Sequence, residues 1–180
     1  MLEASIDLMR QSGLSGAGIN EIVRASGAPK GSVYHFFPAG KQQIATEALD
    51  AYAERVQAFL AQALARGATP EQKIRALFDA FARRAEEARF ERSCAIGTVS
   101  LDLTEEVAGL REVLAHALTG WIETVAQQCG GESQRARSFA GLVITAVEGA
   151  YVRARAEHSS RAFREAGSWL APMAAQTFRP

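Results

Sequence analysis

Apolar positions along the chain recur at the three-to-four-residue spacing of amphipathic helices, and the strand formers are scattered rather than clustered. Residues 1–12 place Leu2, Ile6 and Met9 on one stripe, and Gly13 ends it. Two short helices follow, about Asn20 to Ser26 and about Pro29 to Phe36, with Gly27 placed between them to turn the chain through a left-handed conformation. Pro29 suits a first helical turn, where its missing N–H costs little. After the break Pro38-Ala39-Gly40, a long helix from about Lys41 to Ala65 carries Ile44, Ala48, Tyr52, Val56, Phe59 and Ala63 on one face. Beyond the turn at Gly67 to Pro70, Ile74, Leu77, Phe78 and Phe81 mark another helix. The stretch Phe90 to Thr104 is the least regular and predicts a short helix around Cys94 to Leu101. Thr104 is placed to cap a helix with Glu105 and Glu106 in its first turn and Val107, Leu110, Leu114, Ala117, Trp121 and Val125 on its stripe. A helix from about Ser133 to Glu157 and a last one from Ser159 or Ser160 complete an all-α chain of about nine helices.

Composition narrows the classes. Of 180 residues, 48% are apolar, enough for a core and against disorder. Twenty basic residues balance twenty acidic ones, so any grip on nucleic acid must come from a local patch rather than a basic surface. Cys94 and Cys129 form no metal or redox motif and read as reduced thiols. No cofactor is implied. Three scattered histidines, with no nucleophile motif, phosphate loop or metal spacing, leave an enzyme without support. No apolar run approaches the ~20 residues that span a bilayer, and the acidic start lacks the flank of a signal peptide, so a cytoplasmic protein is expected.

The segment Gly27 to Phe37 carries the chemistry. Two short helices joined by a glycine turn, behind a supporting first helix, form a helix-turn-helix pattern, whose second helix presents its N-terminal turn to the major groove. Gly31 allows close approach, Ser32 can bond a base edge, and Lys30 supplies charge to a phosphate. Tyr34 and His35 can donate to phosphate oxygens, which sets register without reading sequence. Lys41 starts the long helix, where free N–H groups also attract phosphate. Val33 and Phe36 should pack inward against the first two helices. Between Gly18 and Ala45, the bases Arg24, Lys30 and Lys41 face the single acid Glu21. Glycine-turned helical hairpins are also common in helical proteins without DNA binding, with the lysines merely solvated.

The run Ile19-Asn-Glu-Ile-Val-Arg-Ala-Ser-Gly-Ala-Pro-Lys-Gly-Ser-Val-Tyr-His-Phe-Phe37 resembles the signature of the TetR/AcrR family of transcriptional regulators. Gly27-Ala-Pro-Lys-Gly-Ser32 and Phe37-Pro-Ala-Gly-Lys41 resemble its LmrA/YxaF-like branch, as, more weakly, do Ser93-Cys-Ala-Ile96 and Glu148-Gly-Ala150. The resemblance implies a DNA-binding domain over residues 1–45, a ligand-binding and dimerisation domain over 46–180, and a homodimer on double-stranded operator DNA. It carries Lys30, Gly31, Ser32, Tyr34, His35 and Lys41 over as DNA contacts. It also implies control of an efflux or detoxification gene. Three departures weaken the expected grip: Ala17-Gly18 stands where relatives have paired hydroxyls, Pro29 where serine is common, and Met1 almost at the first helix, where relatives have a basic arm. Glu21 can still reach back to the start of its helix.

A mostly apolar effector site is expected among Phe78, Phe81, Leu114, Leu118, Trp121, Val147, Glu148 and Tyr151, with Phe90 and Val143 nearby and Thr98 and His116 as further polar groups. A filled core is the plainer reading of the same aromatics. Glu148 suits either a cationic ligand or an arginine partner. The last two helices are expected to form the dimer face, with Gly141, Ala146, Gly149 and Gly167 allowing close approach and Trp169 outside the main stripe. A small hydrophobic ligand that favours a wrongly spaced dimer would release the operator. The rival reading is a helical ligand-binding module whose DNA-binding end has decayed.

Overall fold

The computed structural model describes residues 1–178, all but the side chain of Glu106. The described chain is all helical. Its α-helices are α1 (Leu2–Ser12), α2 (Ile19–Ser26), α3 (Lys30–Phe36), α4 (Lys41–Leu64), α5 (Pro70–Glu87), α6 (Ala95–Leu101), α7 (Arg111–Gln128), α8 (Gln134–Glu157) and α9 (Arg161–Thr177). The helix expected from Thr104 is split. Glu105–Leu110 is a 3-10 helix with a non-helical Val107, Thr104 makes no side-chain cap, and the α-helix starts at Arg111. The expected aid of Glu106 to that first turn lies outside the described residues.

The chain forms two compact units. The first comprises Met1–Glu54 and Ser93–Ala117; the second comprises Arg55–Arg92 and the chain from Leu118 onward. In the first, α1 packs on α2 and α6, and α2 on α3. Ile22, Val33, Phe37 and Ile44 form its small core, closed by Leu2, Leu8, Ile19 and Val23. Polar links hold α6 to α1. The Arg10 side chain donates to the Ser93 carbonyl at 3.0 Å, and the Ser93 N–H returns a bond to the Arg10 carbonyl at 2.9 Å. Thr98 Oγ1 donates to the Met9 carbonyl at 2.8 Å. Asp102 accepts from the Ser15 N–H at 3.1 Å and the Ser15 hydroxyl at 3.2 Å.

In the second unit α5 packs against α8 and α9, which pack on each other. Thr69 caps α5 reciprocally with Gln72, Pro70 follows at the first turn, and Ser133 caps α8 by accepting from the Ala136 N–H at 3.2 Å. Gly167 brings α9 onto α5, since a Cβ there would lie 2.8 Å from Phe78 Cβ. Its close approach therefore serves the chain's own core rather than the outer face. At the other end of this seam, Glu86 of α5 takes the Arg164 guanidinium at 2.7 Å and the Ser160 hydroxyl. These two bonds, the hydroxyl's first, hold the Glu86 carboxyl below the usual carboxylate range.

Candidate nucleic-acid interface

The turn into α3 follows from local chemistry. Gly27 sits at φ 66°, ψ 8°, a conformation a Cβ disfavours, and ends α2. Pro29 has extended ψ and stands one position before α3. At the other end of α2, the Glu21 carboxylate folds back into the space a Cβ on Gly18 would fill. Negative charge thus lies at the helix N-terminus without a hydroxyl cap.

Lys30, Gly31, Tyr34 and His35 are exposed and Ser32 is half-buried. A Cβ on Gly31 would meet open space, so the backbone there is accessible to a groove. Val33 is fully buried, as its spacing predicted, but its partner is not Phe36. Phe36 is 62% exposed, whereas Phe37 is 7% exposed and lies in the core. Spacing does not choose between them, because both i+3 and i+4 lie on the face of Val33. Phe37 stands just past the helix at the C-cap, its N–H bonds back to the Val33 carbonyl at 2.7 Å, and its ring enters the core with Ile22 and Ile44, while Phe36 is left on the flank. Phe36 instead stands edge-on to His35, ring centroids 4.8 Å apart. The outer face of α3 thus carries three adjacent exposed rings. Lys41 is half-buried and donates to the Leu14 carbonyl at 2.9 Å, in a cleft shared with Ser15 and Asp102.

The residues expected around an effector are placed differently. Leu114 belongs to the first unit and the other seven to the second. Phe78, Phe81, Trp121, Val147 and Tyr151 are buried, while Leu118 and Glu148 are half-buried. Phe81 lies parallel to Phe163 at 6.2 Å and edge-on to Tyr151 at 6.0 Å, and Tyr151 meets Phe163 at 5.0 Å. These three rings fill the space between α5, α8 and α9. Phe163, expected from the sequence on the apolar stripe of the last helix with Leu170 but not among the site residues, completes the cluster. Trp121, Glu148 and Tyr151 each make a further interaction within the chain. Thr98 is committed to backbone carbonyls, and His116 is exposed. Phe90 packs edge-on to His158 at 4.9 Å.

A supported helix-turn-helix followed by a larger helical body defines a DNA-binding regulator rather than a catalyst. The comparisons agree. Residues 1–48 match the model for bacterial regulatory proteins of the tetR family, and residues 70–168 match the C-terminal domain of LmrA/YxaF-like transcriptional regulators. The chain belongs to the TetR family of transcriptional regulators, in its LmrA/YxaF-like branch. It is a DNA-binding regulator of repressor type, not an enzyme. It is 28% identical to the HTH-type transcriptional regulator LmrA of Bacillus subtilis, over 83% of this chain and 81% of that protein. It is 31% identical to an uncharacterised HTH-type transcriptional regulator of Mycobacterium tuberculosis, over 86% of this chain and 82% of that protein. A regulatory protein TetR from Rhodobacter sphaeroides shares the fold, with TM-score 0.81, 23% identity and 95% of both chains covered. Among the described residues no helix is long and apolar enough to cross a membrane.

Proposed function

We propose that the protein is a cytoplasmic, ligand-released repressor. Residues 1–45 form the DNA-binding domain, and residues 46–180 bind the effector and the second copy. Two copies of α3 enter successive major grooves, ~34–36 Å apart, of a palindromic operator. Lys30, Tyr34, His35 and Lys41 hold phosphates, while Gly31 and Ser32 meet base edges. A small, mostly hydrophobic effector binds within the second unit against Phe78, Phe81, Leu118, Trp121, Val147, Glu148 and Tyr151, once the packed rings of Phe81, Tyr151 and Phe163 part to admit it, and favours a dimer spacing unfit for the operator. A coupling of ~1–3 kcal/mol suffices for the switch. The regulated gene encodes efflux or detoxification.

One observation carries this reading: the first turn of α3 exposes Lys30 and Gly31, has no side-chain cap, and meets open space at Gly31. The test is binding to the gene's own upstream DNA across a salt series. Lys30→Ala should lower the salt slope by about one and Lys30→Ala/Tyr34→Ala should abolish specific binding. Both side chains are exposed, so the variants should melt like the wild type. Wild-type binding by the double variant would place the DNA contacts elsewhere than α3, and no salt-dependent binding by the wild type would leave only a ligand-binding module.

A further inference from the structure

The second unit carries a groove of about 310 Å³ along the seam of α4 and α5. Its floor is apolar, with the Phe59 ring beside the buried Ala63. Its rim holds Arg66, Arg83 and Arg84 against one acid, Glu87. Elsewhere Arg75, Arg137, Arg153, Arg161 and Arg164 each hold a carboxylate at 2.7–3.5 Å, whereas among the described residues Arg24, Arg89 and Arg135 hold none but lie apart from one another in the chain. Among the described residues, none of the three groove guanidinia makes such a pair. Arg84 lies over the Phe59 ring at 4.8 Å, and Arg83 contributes only longer-range charge to Glu86.

Three like charges gathered on a chain of zero net charge repel one another, and an apolar floor focuses their field into the groove. Guanidinia are weakly hydrated and match a carboxylate in fork geometry. Phe59 offers a flat surface beside them. We propose that this groove binds a small organic anion: a carboxylate or equivalent acid on a flat apolar body of one or two rings. Arg66 and Arg83 take the charge, Phe59 takes the ring, and Arg84, held by Phe59, shapes the wall between them. The site shares no residue with the proposed effector pocket, although the Phe59 ring meets Phe81 edge-on at 5.0 Å, and its test does not depend on that pocket.

Calorimetric titration of the full chain with 2-naphthoate, its neutral analogue naphthalene-2-methanol and inorganic phosphate tests the proposal. Naphthoate should bind one per chain, weakening with salt, and Arg66→Ala/Arg83→Ala should weaken it roughly tenfold or more, as for lost charge-assisted hydrogen bonds. The alcohol and phosphate should each bind more weakly, one lacking charge and the other the ring. Both arginines are exposed, so a circular-dichroism melt should show the double variant folded. No naphthoate binding at millimolar concentration, equal binding by the double variant, or alcohol or phosphate binding as tightly as naphthoate each overturns the proposal. Operator affinity of the double variant without naphthoate should stay at the wild-type level, so failure here is separate from failure of the repressor reading.

Discussion

Gly27 shows how much a single backbone conformation decides. Its φ of 66° is needed to turn α2 into α3, and a Cβ would meet nothing within 4 Å. The cost of Gly27→Ala is therefore conformational, about 1–2 kcal/mol, and a thermal melt should show it. Gly27→Asn should cost less, because asparagine tolerates the left-handed region better. Cys129 is a second case. Burial pushes its thiol up to about 11, opposed in part by the charge of Lys73. Cys94 is buried as well. Neither thiol should react with iodoacetamide in the native protein at pH 8, and both should react in urea. A folded-state value above the unfolded one means the native state holds its proton longer. Stability from Cys129 is therefore complete below the ordinary thiol value and falls as pH rises toward 11, which denaturant titration at increasing pH would show.

Among elements, α6 is one whose place depends on distant partners. Its links to α1 join residues more than eighty positions apart, from Arg10 with Ser93 to Ser15 with Asp102. Asp102→Ala removes both bonds from Ser15, whose exposed N–H turns to solvent and whose hydroxyl keeps the Ser12 carbonyl at 3.4 Å, and should cost about 0.5–1.5 kcal/mol, read as a lower melting temperature. Ser15→Ala removes only the hydroxyl bond and should cost less, since the backbone bond at 3.1 Å remains. Equal melts for the two variants would refute a tether through the backbone N–H. The helices themselves, their order and most of their ends were legible beforehand, because glycine, proline and capping residues act within a few positions. The split at Val107 was not: an apolar stripe of helical period runs through Glu105–Leu110 without revealing that its backbone is 3-10.

For the whole molecule, the outer face of α8 and α9 is the proposed meeting point of two copies. Trp169 is 78% exposed and Val152 65%, and a groove of about 610 Å³ runs between the helices past Ala146, Gly149 and Trp169. A Cβ on Gly149 would meet open space, so this glycine is available for close approach in a way that Gly167 is not. Trp169→Glu should leave the helical spectrum unchanged and turn a dimer into a monomer in light scattering. It should also weaken operator binding, since each α3 would then dock alone. A Trp169→Glu protein that stays dimeric would place the interface elsewhere.

The all-helical class, the glycine turn and the segment from Ile19 to Phe37 were determined by the sequence itself. Each rests on spacing or conformational preference over a few neighbouring residues. Tertiary structure alone decided which of two adjacent phenylalanines is buried: Phe37 completes the turn begun at Val33, and Phe36 is left outside. It alone tied Lys41 to the Leu14 carbonyl, joined Phe81 and Tyr151 to Phe163, and left three arginines around Phe59 without carboxylates. The physical reason is common to all four. Burial and pairing belong to residues that meet in space, and a pattern along one helix shows which face is apolar, not what that face will meet.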